Sequence, residues 1–146
     1  MVLTIDIGNT TIGIGGFQGN KLLFIEKISS RRPLSDAGYI EKLNMILNKH
    51  GLSAEAFEGS MISSVVPSVT AVFSSALETI LGRKPLILSH KLDLGYEICT
   101  DFPEKVGCDR LADIAGAISR YSLPFVTIDL GTATTFNVLD ENLSLI

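Results

Sequence analysis

A short polar segment directly after the first apolar run carries the residue types that a phosphate site needs. The run Val2–Ile7 is rich in β-branched residues and is followed at once by Gly8, Asn9 and Thr10. Glycine lets backbone N–H groups approach a phosphate closely, and Asn and Thr side chains add neutral donors. Asp6 would repel a phosphate unless a cation lay between them, so we expect it to bind Mg²⁺ or a water molecule. Taken alone, the segment is more typical of an ordinary hairpin turn, in which Asn and Gly supply positive φ angles and Asp caps the loop.

The same segment occurs a second time. Residues 3–11 (LTIDIGNTT) align without gaps with residues 126–134 (VTIDLGTAT), and the two aspartates, Asp6 and Asp129, are 123 positions apart. A repeat this long indicates duplication of a whole domain and not a solenoid. We therefore expect a first domain over residues 1–122, with residues 123–146 as the first strands of a second, truncated copy. A complete duplication predicts a parent protein of roughly 250 residues, a two-domain size.

The duplication favours a binding role for these turns. Two such hairpins, one at the start of each half of a duplicated protein, would suit a polyphosphate that is bound between them. Two widespread phosphate-binding motifs are absent, because the sequence contains no Gly-x-x-x-x-Gly-Lys-Ser/Thr run and no Gly-x-Gly-x-x-Gly after a strand.

A second group of chemically useful residues stands where a helix is predicted to begin. Gly107 and Cys108 are followed by Asp109 and Arg110. An aspartate in this position can act as a general base toward a hydroxyl group, and an arginine can pair with a substrate carboxylate through two hydrogen bonds. A purely structural role would make Asp109 the helix N-cap and Arg110 a surface ion-pair partner. Cys108 has no histidine near it in the sequence, so a nucleophilic role is not expected.

The pattern of apolar residues predicts the elements that position these groups. Strands are predicted at residues 2–7, 11–17, 21–28, 60–65, 85–88, 125–129 and 134–139. Helices are predicted from Asp36, as N-cap, to Gly51, from Pro67 to Gly82, and over about 109–121. This order predicts an α/β fold: a mixed sheet of three antiparallel strands and then alternating helices and strands, with helices on both faces.

Composition excludes several classes of protein. The 146 residues carry a formal net charge of −4, and they contain no Lys/Arg cluster, so a dedicated nucleic-acid binder is not expected. No apolar run reaches the ~20 residues that cross a bilayer, and the N-terminus lacks a signal-peptide layout. The two cysteines predict reduced thiols in a cytoplasmic protein. A mean hydropathy of +0.36 is high for a small domain and predicts apolar faces that something outside this chain covers.

Four segments together resemble the signatures of a known family. They are Asp6–Thr10, Ser63–Pro67, Gly107–Arg110 and Asp129–Thr134. In this order they resemble type III pantothenate kinase, a family of the acetate and sugar kinase, Hsp70 and actin superfamily. The resemblance implies duplicated RNase H-like (actin-like ATPase) domains and covers nearly the whole chain.

The resemblance also implies an activity and a set of residues. The activity is ATP-dependent phosphorylation of pantothenate to 4'-phosphopantothenate, the first step of coenzyme A biosynthesis. ATP would be bound by Asp6, Ile7, Gly8, Asn9, Thr10, Thr11, Ile12, Gly13 and Thr132. Pantothenate would be held by Gly107, Cys108, Asp109 and Arg110, with Asp109 accepting the proton of its primary hydroxyl. Asp129 would ligate a monovalent cation, K⁺ or NH₄⁺, in addition to Mg²⁺ with the ATP, and the protein would be a homodimer.

Some expectations stay open. The family often has an aromatic substrate contact about nine positions before the catalytic aspartate, where this chain has Thr100, and Tyr96 is close to it but out of register. A non-catalytic accessory factor for transcription, and another small-molecule kinase or ATP-driven switch of the superfamily, are the alternative functions. This chain by itself is expected to be inactive, because the first domain and the beginning of the second cannot enclose a nucleotide.

Overall fold

The computed structural model describes residues 1–131 and 133–146. They form two compact units, residues 1–87 and residues 88–146. The strands are β1 (Val2–Ile7), β2 (Thr11–Gln18), β3 (Lys21–Ser29), β4 (Gly59–Ser64), β5 (Leu86–Ile87), β6 (Glu97–Ile98), β7 (Phe125–Leu130), β8 (Thr134–Leu139) and β9 (Ser144–Leu145). The α-helices are α1 (Asp36–Lys49), α2 (Pro67–Leu81) and α3 (Cys108–Ile118). Single 3₁₀ turns lie at Ala54–Ala56 and Pro103–Lys105.

The first unit is built on a five-stranded mixed sheet in the order β3-β2-β1-β4-β5. Strands β1, β2 and β3 pair antiparallel, whereas β4 pairs parallel with both β1 and β5. The hairpin between β2 and β3 turns at Gly19, which has a positive φ of 56°. The predicted order, three antiparallel strands followed by helix–strand units, is confirmed.

The core of the first unit lies on one face of this sheet. Leu3, Ile5 and Ile7 alternate along β1 and are at most 2% exposed. They share one apolar cluster with the buried sides of α1 and α2, where the rings of Tyr39 and Phe73 lie 4.7 Å apart. Because α1 and α2 also pack against each other, they form a single layer. The prediction of helices on both faces is therefore wrong for this unit.

The ends of the two helices follow local chemistry. Ser35 caps α1, because its hydroxyl accepts a hydrogen bond from the Gly38 N–H at 3.3 Å. Asp36, predicted as the N-cap, instead lies in the first turn and accepts a hydrogen bond from the Ser75 hydroxyl. At the other predicted helix, Pro67 begins α2, and Gly82 ends it in the left-handed conformation, both as predicted.

The second unit has a four-stranded sheet in the order β6-β9-β8-β7. Helix α3 supplies Leu111 and Ile114 to a core that it shares with Leu139 and Leu145. The helix ends at Ile118, three residues before the predicted end. Within the described residues, no helix is long and apolar enough to span a membrane.

Candidate functional site

The first hairpin presents a carboxylate at the end of β1. Asp6 lies opposite Gly13 on β2 and beside Ser63 on the parallel strand β4. The Gly8 N–H donates to the Thr11 carbonyl at 2.9 Å and closes the turn. Asp6 is exposed, so it lies at the solvent-accessible end of the central strand β1.

The tip of the same hairpin carries neutral hydrogen-bonding groups. The hydroxyls of Thr10 and Thr11 lie 3.2 Å apart and are exposed. The Thr10 carbonyl accepts a hydrogen bond from the Ser30 N–H at 3.1 Å, which ties the tip to the end of β3. The turn therefore combines the acceptor and donor types that the sequence predicted, on a backbone that the sheet holds in place.

The second hairpin also presents an aspartate near the end of its first strand. Asp129 lies opposite Thr135, and the last pair of the ladder joins Leu130 to Thr134. The Gly131 N–H donates to the Ala133 carbonyl at 3.2 Å, and a Cβ at Gly131 would stand only 3.3 Å from Asp129 Oδ2. A side chain at this glycine would therefore crowd the carboxylate. Thr132, predicted to contribute to ATP binding, lies outside the described residues.

A pocket of about 430 Å³ lies between α3 and β7. It is lined by Ala112, Asp113, Gly116, Ala117, Arg120, Tyr121, Thr127, Ile128 and Asp129. Its oxygen ligands, the carboxylates of Asp113 and Asp129 and the hydroxyl of Thr127, are of the type that hard cations prefer. In residues 1–131 and 133–146 no three His, Cys, Asp or Glu side chains are grouped closely enough to hold a metal ion by themselves.

The third predicted group lies at the first turn of α3. Gly107 is the N-cap residue and provides no side-chain cap, so Asp109 is not the N-cap that a purely structural role would make it. Asp109 Oδ1 accepts the Arg110 backbone N–H at 2.8 Å, and a Cβ on Gly107 would overlap this same oxygen. Glycine at position 107 therefore makes room for the Asp109 carboxylate.

The side chain of Arg110 is held by strand β8. Its Nε donates to Asn137 Oδ1, and its Nη2 donates to the Phe136 carbonyl at 3.1 Å. The interpretation of Arg110 as a surface ion-pair partner is therefore wrong, since these partners are an amide and a peptide carbonyl. Sequence reasoning missed Asn137, although a signal was present: it alternates with Leu139 and so points inward from β8.

Of the three remaining residues that the sequence analysis named, Cys108 and Tyr96 have hydrogen-bond partners. Cys108 Sγ donates to the Leu88 carbonyl at 3.1 Å. The Tyr96 hydroxyl donates to the Leu111 carbonyl at 3.0 Å, and burial raises the pKa of Tyr96 to about 12. The Thr100 hydroxyl is buried and has no hydrogen-bond partner among the described residues. Tyr96 thus braces α3 through its phenol.

The family model for type III pantothenate kinase matches residues 2–145. The chain belongs to the type III pantothenate kinase family. All four motifs fall inside this match, in the order in which the sequence presents them.

Curated members of the type III pantothenate kinase family resemble the chain over nearly its whole length. The type III pantothenate kinase of Thermomicrobium roseum is 36% identical over 142 residues, covering 97% of this chain and 55% of that protein. The one from Bifidobacterium animalis subsp. lactis is 38% identical over 141 residues, with 97% and 56% covered. The chain therefore spans about half the length of these relatives.

A solved structure supports the fold. The structure of a Porphyromonas gingivalis protein provisionally named N-acetylglucosamine kinase covers 100% of this chain and 46% of its own, with a TM-score of 0.52 and 16% identity. This similarity concerns the fold alone. It confirms the predicted α/β class of actin-like ATPase type.

Proposed function

We propose that this chain acts in the ATP-dependent phosphorylation of pantothenate to 4'-phosphopantothenate, the first step of coenzyme A biosynthesis. The observation that carries the proposal is the occurrence of all four motifs, in order, within a family match over residues 2–145. The relatives that the chain resembles are named type III pantothenate kinases. A role as a non-catalytic accessory factor has no such observation in its favour.

The nucleotide is assigned to the two hairpin turns. In the proposal, residues 6–13 and Thr132 bind the phosphates of ATP. The exposed carboxylate of Asp6 suits Mg²⁺, which takes one or two protein carboxylates and completes its shell with phosphate oxygens and water. The pocket beside Asp129, whose lining includes Asp113 and Thr127 and also the cationic Arg120, is assigned to K⁺ or NH₄⁺. These cations would neutralise the charge of the transferring phosphoryl group.

The acceptor is assigned to the first turn of α3. One carboxylate oxygen of Asp109 is engaged by the Arg110 N–H, which leaves Oδ2 to receive the proton of the primary hydroxyl of pantothenate. As that O–H bond breaks, the hydroxyl oxygen bonds to the γ-phosphorus and ADP leaves. Gly107, Cys108 and Arg110 would hold the rest of pantothenate.

The proposal includes the organisation of the protein. Residues 1–122 form a first RNase H-like domain, and residues 123–146 are the opening strands of a second copy. The β7–β8 hairpin supports this, because it pairs antiparallel as β1–β2 does and carries its aspartate at the equivalent place. The active form would be a homodimer in the cytoplasm.

A chimera tests the activity of these residues in a chain of the relatives' length. Residues 2–145 replace the matching region of the Thermomicrobium roseum kinase, and ADP release is measured with ATP, Mg²⁺, K⁺ and a panel of acceptors. We expect release that depends on pantothenate, with no turnover by the 146-residue chain alone. The unmodified relative serves as the activity control, and circular dichroism checks folding.

Other outcomes select a different function. ADP release without any acceptor indicates an ATP-driven switch, and release with a different acceptor indicates another small-molecule kinase. A folded chimera that releases no ADP, beside an active relative, contradicts the proposed function and favours a non-catalytic factor.

A further inference from the structure

Asn137 is a buried polar residue in the middle of strand β8. It is 1% exposed, and its register partner on β7 is Thr127. An amide in this position destabilises the fold unless both ends of the side chain find hydrogen-bond partners. Its partners therefore indicate what the residue is for.

Both ends of the Asn137 amide are satisfied. Its Oδ1 accepts from Arg110 Nε, and its Nδ2 donates to Thr127 Oγ1 at 2.8 Å. The orientation of the amide follows from chemistry, because a guanidinium can only donate and the amide must therefore turn its oxygen toward Arg110. These hydrogen bonds link the side chains of Arg110 on α3, Asn137 on β8 and Thr127 on β7.

These bonds occupy one edge of the guanidinium. The Nε–Nη2 edge of Arg110 is taken by Asn137 Oδ1 and the neighbouring Phe136 carbonyl. The opposite edge, formed by Nη1 and the second Nη2 hydrogen, has the fork that a carboxylate accepts through two parallel bonds. Fixing the long side chain in advance also lowers the entropy that a ligand would otherwise lose on binding.

We propose that Asn137 is a positioning residue that holds Arg110 in the orientation that receives the carboxylate of the acceptor substrate. The inference rests on the proposed function, because pantothenate supplies that carboxylate. Thr127 also faces the same side of β7 as Asp129. The network therefore fixes the acceptor-binding arginine relative to the strand that carries the proposed cation ligand.

The first experiment measures Arg110 directly in the 146-residue chain. The ¹H–¹⁵N signal of its Nε–H is recorded by NMR in the wild type and in Asn137→Leu and Asn137→Asp. We expect a shifted, exchange-protected signal in the wild type and a signal close to that of a free arginine in N137L. N137D keeps an acceptor for Arg110, and the Thr127 hydroxyl can rotate to donate to it, so the protected signal should remain.

The second experiment separates positioning from general stability. In the chimera, N137L should raise the KM for pantothenate about tenfold or more, as expected for a charged hydrogen bond, while the KM for ATP stays within about twofold. N137D should restore the KM for pantothenate to within about threefold of the wild type. If N137L does not fold, Asn137→Ala, which removes the amide without adding volume, is compared with N137D in the same two measurements.

Two results would overturn the positioning role. One is an unchanged Arg110 signal in folded N137L; the other is an equal rise of both KM values. Failure of the proposed function has a different signature, since a wild-type chimera would then show no turnover that depends on pantothenate.

Discussion

The two hairpins contain the repeated segments 3–11 and 126–134, which are identical at five of nine positions, but their surroundings differ. Ile5 of β1 is 2% exposed, whereas Ile128, its equivalent on β7, is 57% exposed. The same contrast separates Leu3 from Val126, and Ile7 from Leu130. In the first hairpin, α1 and α2 cover the face that these residues share. In the second hairpin, the apolar side chains of Phe136 and Val138 on β8 lie beside those of β7 on the same face. Alternation thus decides which side chains share a face, whereas burial depends on which elements cover it.

The opposite faces of the two hairpins differ in a second way. Thr4 and Thr127 are equivalent, but the residue across the ladder is Gly15 in the first hairpin and Asn137 in the second. A Cβ at Gly15 would come within 2.9 Å of Thr4 Oγ1, so that strand stays free of a side chain there. In the second hairpin the asparagine bonds Thr127 and holds Arg110. The same position of the first strand thus faces a glycine in one hairpin and, in the other, an asparagine that belongs to a side-chain network.

The largest effect is expected from paired substitutions on the apolar face. Ile5→Ser should cost about 4 kcal/mol of unfolding free energy, because it removes packed methyl groups and buries a hydroxyl. Ile128→Ser, the matched control in the other copy, should change it by less than about 0.5 kcal/mol. Urea unfolding combined with hydrogen exchange resolves the effect on each unit. Equal losses in the two variants would contradict the comparison.

A smaller effect is expected from the two aspartates. In the chimera, Asp6→Asn should lower kcat on the order of a hundredfold, because the Mg²⁺ contact beside the phosphates is weakened. Asp129→Asn should instead raise the K⁺ or NH₄⁺ concentration needed for half-maximal rate. Rates measured across a cation series separate the two roles. A D129N variant with an unchanged cation response would remove the basis for assigning the cation to this pocket.

Two tyrosines extend the comparison to the units themselves. The Tyr39 hydroxyl is buried with no hydrogen-bond partner among the described residues, so Tyr39→Phe should be neutral or stabilising. Tyr96→Phe loses the bond to the Leu111 carbonyl and should cost about 1 kcal/mol. Denaturant titrations of both variants test this, and a clear loss of stability in Y39F would contradict it.

A pH dependence of the stability is expected at Tyr96. Its pKa is raised by burial from 10 to about 12 in the folded protein. Below pH 10 the phenol is neutral in both states, so its contribution to stability is fully present there. As the pH rises from 10 to 12 the unfolded chain loses this proton first, and the stability falls. Unfolding free energies measured over this range should show the fall in the wild type but not in Y96F.

The elements that depend on local patterns were predictable from the sequence. The strand Val2–Ile7, the helix between Pro67 and Gly82, and both hairpins follow from alternation, periodicity and glycine or proline at the ends. The two-residue strand β6 was not predicted, because so short a segment has no detectable period. The single helix layer of the first unit depends on packing between distant segments, which no local pattern specifies.

The candidate site was predictable in its residues but not in its contacts. The repeat pointed to Asp6 and Asp129, and a position at the start of a predicted helix pointed to Asp109. The capping of α1 by Ser35 and the hydrogen bond between Asn137 and Arg110 both depend on side-chain geometry. Asn137 and Arg110 are also 27 positions apart in the sequence. Such partners become visible only when the backbone is folded.

The central claim, that Asp109 is the base for phosphorylation of pantothenate, has one direct test. Formation of 4'-phosphopantothenate by the chimera is followed by mass spectrometry for the wild type, Asp109→Asn and the exposed control Glu104→Gln. The account predicts product with the wild type and E104Q, and none with D109N, although D109N stays folded. Near-normal product formation by D109N would contradict it.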